Sequence, residues 1–190
     1  LVYGVSHDDA RRFWSAIIDH VFDGTCTKAQ KVAVLDDLYN RFAQPACWKI
    51  DERWPAVLNA CREAGYRVGL ISNWDLRLRG LLASLGLLDG VDDVVISAEH
   101  AIEKPDTRIF RMALDNLGAD PEASVHVGDT WLDDVEGAAA VGMHPVWLNP
   151  AKSVTTGNNV RHTEIAALGE LVNMLTGTNP APNPFRGGSR

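Results

Sequence analysis

Ser124-Val125-His126-Val127-Gly128-Asp129-Thr130-Trp131-Leu132-Asp133-Asp134 passes from a short β-prone run, through a glycine, into a turn that carries three carboxylates. A short apolar run ending in Gly-Asp, with further acids on the way into helix, reads as a strand–loop–helix unit. Val135 to Val141 then predicts a small-residue helix ending at Gly142, and His144-Pro145-Val146-Trp147-Leu148 the next strand. The same rhythm precedes this stretch. Tyr66-Arg67-Val68-Gly69-Leu70-Ile71 predicts a strand, Leu78, Leu81, Leu82 and Leu85 a helix ended by Gly86, and Val94-Val95-Ile96-Ser97 another strand. Ile109, Phe110, Ala113, Leu114 and Leu117 fall on one helical face, stopped by Gly118. Four short apolar strands alternating with helices predict an α/β protein with a parallel sheet covered by helices on both faces.

Outward from this alternation, Ala10, Phe13, Trp14, Ile17, Ile18 and Val21 recur at helical spacing over 8–21. Ser6 or Asp8 is placed to cap that helix and Gly24 to end it. A second helix is expected from Thr27 to about Phe42, followed by a connection between Gln44-Pro45 and Trp54-Pro55, where each proline disfavours helix in the residue before it. Val57, Leu58, Cys61 and Ala64 predict a helix closed by Gly65. Ile165, Leu168, Leu171, Val172 and Leu175 predict a last helix over 164–175. The division that follows is a helical segment at 1–52, an α/β core at 53–176 and a disordered tail at 177–190, where three prolines and three glycines fall among few apolar residues.

Composition narrows the partners. With 18 Lys plus Arg against 25 Asp plus Glu, the net charge of −7 offers no electrostatic case for nucleic acid. No apolar stretch approaches the roughly 18 residues that span a membrane. Cys26, Cys47 and Cys61 are odd in number, lack paired metal spacing and fit a reducing, cytoplasmic compartment.

In a parallel α/β sheet, ligands sit at the carboxyl ends of the strands. Those ends carry Ser72-Asn73, then Glu103-Lys104-Pro105-Asp106, then Gly128 to Asp134. A hydroxyl, an ammonium and clustered carboxylates suit a phosphate and a hard cation, because phosphoryl transfer needs donors and positive charge aimed at the phosphate oxygens. Magnesium takes one or two carboxylates plus waters, which Asp129 with Asp133 or Asp134 would supply. Taken singly, each signal also has a local reading. Ser-Asn after a strand is a turn or cap, Lys-Pro-Asp starts helices, and Asp133-Asp134 favours the dipole of the following helix.

Their order and spacing carry more. Ile-Ser-Asn, then Glu-Lys-Pro-Asp-x-x-Ile-Phe with Lys104 32 residues after Ser72, then Val-Gly-Asp-x-x-x-x-Asp with Asp129 25 residues after Lys104, resembles motifs two, three and four of the haloacid dehalogenase superfamily. The resemblance runs from about residue 53 to 150. It implies a Rossmann-like core of that family's type, with residues 1–52 the remnant of a small helical cap. It implies that Ser72 hydrogen-bonds the transferring phosphoryl group, that Lys104 holds phosphate and nucleophile together, and that Asn73 shapes the substrate loop. By the same resemblance Asp129 binds Mg2+, helped by Asp134 or Asp133, and the substrate is a small phosphate ester cleaved through an aspartyl-phosphate intermediate.

One motif departs from the pattern. Residues 1–7, Leu-Val-Tyr-Gly-Val-Ser-His, hold no aspartate, and no Asp-x-Asp occurs elsewhere. Asp8-Asp9 and Asp36-Asp37 fall in helical patterns and read as exposed or capping acids. The nucleophile and the general acid/base are therefore not in these residues, and the expectation is an N-terminally truncated sequence that is inactive alone. The alternatives are a non-catalytic binding or regulatory protein of the same fold, and a 2-haloacid dehalogenase, which needs no magnesium. His126 reads as a packed core histidine and Cys61 as a small core residue. Trp74 and Trp131 are placed either for substrate contact or for aromatic packing. The sequence leaves the oligomeric state open.

Overall fold

The structure is a computed structural model that describes residues 2–155 and 159–176. The expected tail at 177–190 lies outside the described residues. The helices are α1 (His7–Val21), α2 (Lys28–Phe42), α3 (Trp54–Glu63), α4 (Leu78–Ser84), α5 (Ser97–His100), α6 (Thr107–Leu117), α7 (Gly137–Ala139) and α8 (Glu170–Thr176). The strands are β1 (Gly69–Ser72), β2 (Asp93–Ile96), β3 (Val125–Gly128), β4 (His144–Leu148) and β5 (Thr163–Ile165). This is an α/β fold. β1 pairs with β2, while β3, β4 and β5 form a second sheet in that order, with both of its pairings parallel.

The chain packs as two compact units. The first holds the described residues up to Lys49 with Ile71–Asp89 and Val95–Glu103; the second holds Ile50–Leu70, Gly90–Val94 and the described residues from Lys104 on.

Local chemistry sets most of the element ends. The Ser6 side chain accepts from Asp9 N at the start of α1, and Thr27 with Gln30 forms a reciprocal capping box at the start of α2. Gly65 has φ +82°, and the Gly65 N–H donates to Arg62 O while Tyr66 N–H donates to Cys61 O. That bond pair satisfies carbonyls α3 would otherwise leave open, in a backbone region where a Cβ is strained. The same pairing of bonds closes the helices before Gly86, Gly118 and Gly142.

Three expectations change. β1 begins at Gly69 rather than Tyr66, because Asp92 takes both backbone groups of Val68: its carboxylate accepts from Val68 N and its own N–H donates to Val68 O. Ser97 starts α5 instead of ending the strand; its hydroxyl accepts from Trp74 N at 3.0 Å and donates to Trp74 O at 3.1 Å. The helix expected over 164–175 is two elements. Residues 163–165 pair with β4 as β5, and α8 starts at Glu170, whose carboxylate accepts from Ala166 N and Ala167 N. The spacing of Ile165, Leu168 and Leu171 fits a helix, but burial of Ile165 beside Val57, Val146, Leu171 and Met174 is achieved from a strand.

In the first unit, an aromatic column runs through Tyr3, Phe13, Trp14, Phe42, Trp48 and Trp74, with ring centroids 4.5–5.9 Å apart at successive steps. Such pairs add about 0.5–1.5 kcal/mol each beyond their burial. The column ties α1, α2 and the connection after α2 to the loop that follows β1.

Candidate active site

In the first unit, Ser72 is the last residue of β1 and Asn73 opens the loop after it. That loop is held at its next two residues. Trp74 is bonded at both backbone groups by Ser97, and its ring packs on Trp48. Asp75, 1% exposed, accepts from Tyr3 Oη at 2.7 Å and from Arg77 Nη2 at 2.6 Å through Oδ2, and from Arg77 N and Nε through Oδ1. Arg77 lies over the Tyr39 ring, 3.5 Å from its centroid, and donates to Tyr39 O. Burial pushes the Asp75 carboxyl up, but the bonds from Arg77 and Tyr3 and the Arg77 charge outweigh it and hold the group below its ordinary range. Gly4, at φ +78°, approaches so closely that a Cβ there would lie 2.4 Å from Asp75 Cβ. The same unit holds an open cavity of about 500 Å³ lined by Val2, Tyr3, Asp9, Arg12, Phe13 and Glu103.

In the second unit, the structure brings Lys104 and Asp134 together. Lys104 Nζ lies 2.6 Å from Asp134 Oδ1, with both side chains largely buried. His126 Nε2 lies 2.9 Å from the same oxygen, and Asp134 Oδ2 accepts from Thr130 N at 3.0 Å. Burial pushes the Asp134 carboxyl up; the His126 hydrogen bond and the charge and hydrogen bond of Lys104 pull it well below the usual carboxylate range. The carboxylate packs against the backbone of Gly128, where a Cβ would fall 2.1 Å from Asp134 Cγ. A π-helical stretch, Trp131–Glu136, carries Asp133 and Asp134 and leads into α7.

Asp129 is exposed just after β3. Its carboxylate meets the Thr130 hydroxyl at 3.5 Å, and its backbone carbonyl accepts from Trp147 Nε1 at 3.0 Å. Of the three acids expected to serve a cation, Asp134 has both oxygens engaged by protein donors, Asp133 is half-buried with partners of its own, and Asp129 presents its carboxylate to solvent. Among the described residues no group of three or more His, Cys, Asp or Glu forms a cation cluster.

Other expectations resolve locally. Trp74 and Trp131 both make aromatic contacts, Trp131 edge-on to Trp147 and His162, with its Nε1 donating to Glu136. Pro105 precedes the helix cap rather than entering the first turn, and Asp106 caps α6 by accepting from Arg108 N. Asp9 accepts from Gly4 N, while Asp36 and Asp37 pair with Arg11 and Arg41. Cys61 packs against the core and burial pushes its thiol up; all three cysteines are free. His126 is a core residue with its ring edge on Phe110, and it also bonds Asp134, which periodicity within β3 does not reveal. Asp75, Arg77 and Tyr3 carried no motif signal; the Asp-x-Arg spacing is their one local trace.

Comparison with known proteins identifies the family. A family model described as haloacid dehalogenase-like hydrolase matches residues 3–142. The chain belongs to that family. The match takes in the helical segment as well as the alternation that follows it. Among curated relatives, haloacid dehalogenase-like hydrolase domain-containing protein 3 of Mus musculus is 37% identical over 145 residues, which is 75% of this chain and 58% of that protein. The chain thus spans under two thirds of that relative's length. A phosphoserine phosphatase of Thermus thermophilus is 41% identical over 96 residues, 50% of this chain and 38% of its own. Among solved structures, a phosphatase of this superfamily from Thermococcus onnurineus has a TM-score of 0.68 and 29% identity, covering 90% of this chain and 82% of that one. No described helix is long and apolar enough to cross a membrane.

Proposed function

We propose that the protein serves a phosphatase acting on a small phosphate ester through an aspartyl-phosphate intermediate, with these 190 residues supplying phosphate binding but not the nucleophile. The observation that carries the reading is the buried Lys104–Asp134 pair, with an ammonium held 2.6 Å from a carboxylate that Thr130 N and His126 also bind. An ammonium anchored in this way is a fixed positive charge for a phosphoryl oxygen, and its cost of ordering is met before substrate arrives. Similarity to the phosphatases of Thermus and Thermococcus supports the same class. The free cysteines and the charge of −7 support a cytoplasmic setting without nucleic acid.

In this reading Ser72 donates to the phosphoryl group, Asn73 shapes the substrate loop, and Lys104 neutralises the phosphate. Residues 1–52 act as the cap. Asp129 holds magnesium, Asp133 is the acid beside it, and Asp134 is spent on Lys104. Magnesium bound there would neutralise charge on the phosphate oxygens. A carboxylate oxygen attacks phosphorus, the ester oxygen leaves with a proton, and water then releases inorganic phosphate. No Asp-x-Asp in the 190 residues provides that carboxylate.

The test is phosphate release from an aryl phosphate. The 190-residue chain is expected to turn over no faster than background, and the chain extended by a strand carrying an Asp-x-Asp pair is expected to release phosphate only with magnesium. Turnover by the unextended chain that Lys104→Ala abolishes would overturn the account of the nucleophile. Halide release by the extended chain in strong chelator would replace the phosphatase by a dehalogenase.

A second expected result concerns the cation. By titration calorimetry the chain binds magnesium weakly, since one carboxylate is available, and Asp129→Ala weakens that binding by more than about tenfold. Equal affinities would remove Asp129 from the ligand set.

A further inference from the structure

We infer that His126 is a positioning residue that fixes the Lys104 ammonium by acting through the Asp134 carboxylate. The inference deepens the phosphatase reading and rests on it only for what the ammonium is used for. An ionised carboxylate has no proton to donate, so the 2.9 Å contact requires His126 Nε2 to carry the hydrogen and donate it to Asp134 Oδ1. Lys104 donates to that same oxygen. His126 therefore occupies one side of Oδ1 and leaves a defined remaining direction for the ammonium.

Without that second donor the arrangement is loose by its nature. The torsion that turns a carboxylate about Cβ–Cγ is broad and two-fold, and the single backbone bond from Thr130 to Oδ2 would then hold it with one fixed donor in place of two. A lysine ammonium is a point charge on a flexible four-carbon stem, so its placement is set by what it donates to.

His126 is itself held. It lies in β3 opposite Pro145 of β4, and its ring stands edge-on to Phe110 at 5.1 Å with an interplanar angle of 82°. Phe110 is fully buried, and Gly137 admits it so closely that a Cβ there would lie 2.7 Å from the ring. On the other side, the Gly128 backbone fills the space behind Asp134. Phe110, His126 and Asp134 thus form a packed column that ends on Lys104, with His126 Nε2 on the oxygen that Lys104 uses.

The experiment uses the 190-residue chain, its His126→Leu variant, which keeps bulk and loses the donor, and His126→Gln, whose side-chain amide reaches to a similar depth. Nitrogen NMR of the wild-type chain is expected to show His126 Nε2 protonated; an unprotonated Nε2 overturns the inference without any variant. The Lys104 ammonium resonance is expected to broaden or disappear in His126→Leu and to return in His126→Gln. Binding of inorganic phosphate by calorimetry is expected to weaken about tenfold in His126→Leu and to recover to within about twofold of wild type in His126→Gln, the scale of losing an outer partner of a binding group. An unchanged Lys104 resonance in His126→Leu overturns the inference. Failure of the wild-type chain to bind phosphate counts against the phosphatase reading alone, and the two NMR measurements still decide the role of His126.

Discussion

Lys104→Ala is expected to lower the stability of the second unit by about 3–5 kcal/mol, the range for removing one partner of a buried ion pair. The Asp134 carboxylate would remain enclosed by Gly128, His126 and Thr130 with its neutralising cation gone. The hydrogen bonds from Thr130 N and His126 remain, but the Lys104 charge that balanced the carboxylate does not. Lys104→Met keeps most of the stem volume and separates lost charge from lost packing. Combining Lys104→Met with Asp134→Leu is expected to recover most of the loss, since replacing a whole buried pair by apolar residues is often neutral or stabilising. The measurement is the urea midpoint of each variant at pH 7. A single variant within about 1 kcal/mol of wild type would mean that the pair is more hydrated than its burial indicates. The recovered double variant is expected to bind no inorganic phosphate, which separates what the pair does for folding from what Lys104 does for ligand.

Asp75→Ala is expected to destabilise the first unit by a similar amount, about 3–5 kcal/mol. It removes the acceptor for the Tyr3 hydroxyl and for three Arg77 nitrogens, and it leaves the guanidinium with the Tyr39 ring and carbonyl as its remaining partners there. The loop that Asn73 opens loses its bond to Tyr3, and Arg77 loses the carboxylate that orients it on Tyr39. The effect also depends on pH. The native carboxyl titrates below its unfolded value of about 3.9, so between the two values the unfolded chain binds more protons. The stabilisation is present above about pH 4 and is lost as pH falls through the native value. The stability gap between wild type and Asp75→Asn is therefore expected to narrow below about pH 4, measured by denaturant unfolding at a series of pH values. A gap that stays constant into acid would show that the Asp75 charge contributes nothing.

These two pairs differ in how far the sequence announces them. Lys104 and Asp134 stand in recognisable motifs, although 30 positions apart. Tyr3 and Asp75 are separated by 72 positions and Arg77 and Tyr39 by 38, and no period or spacing links them. His126 shows the intermediate case: alternation in β3 makes it a core residue, but only the turn returning through Asp134 supplies a hydrogen-bond partner eight positions on.

The sequence by itself determined what depends on near neighbours: the amphipathic helices, their ends at Gly65, Gly86, Gly118 and Gly142, the strands at β2, β3 and β4 to within a residue, and the places of Ser72 at a strand end and of Lys104 and Asp129 in loops. Side-chain period and helix closure act over a turn or two of chain, so they are written locally. Tertiary structure decided what depends on distant partners. Ile165 became a strand residue because its backbone pairs with β4, against an apolar spacing that suits a helix. Val68 left the ladder because Asp92, 24 positions away, took its backbone groups. Asp134 was assigned to Lys104 and His126 rather than presented to solvent, because burial leaves an ionised carboxylate stable only where donors and a cation converge on it, and that convergence exists only once the chain is folded.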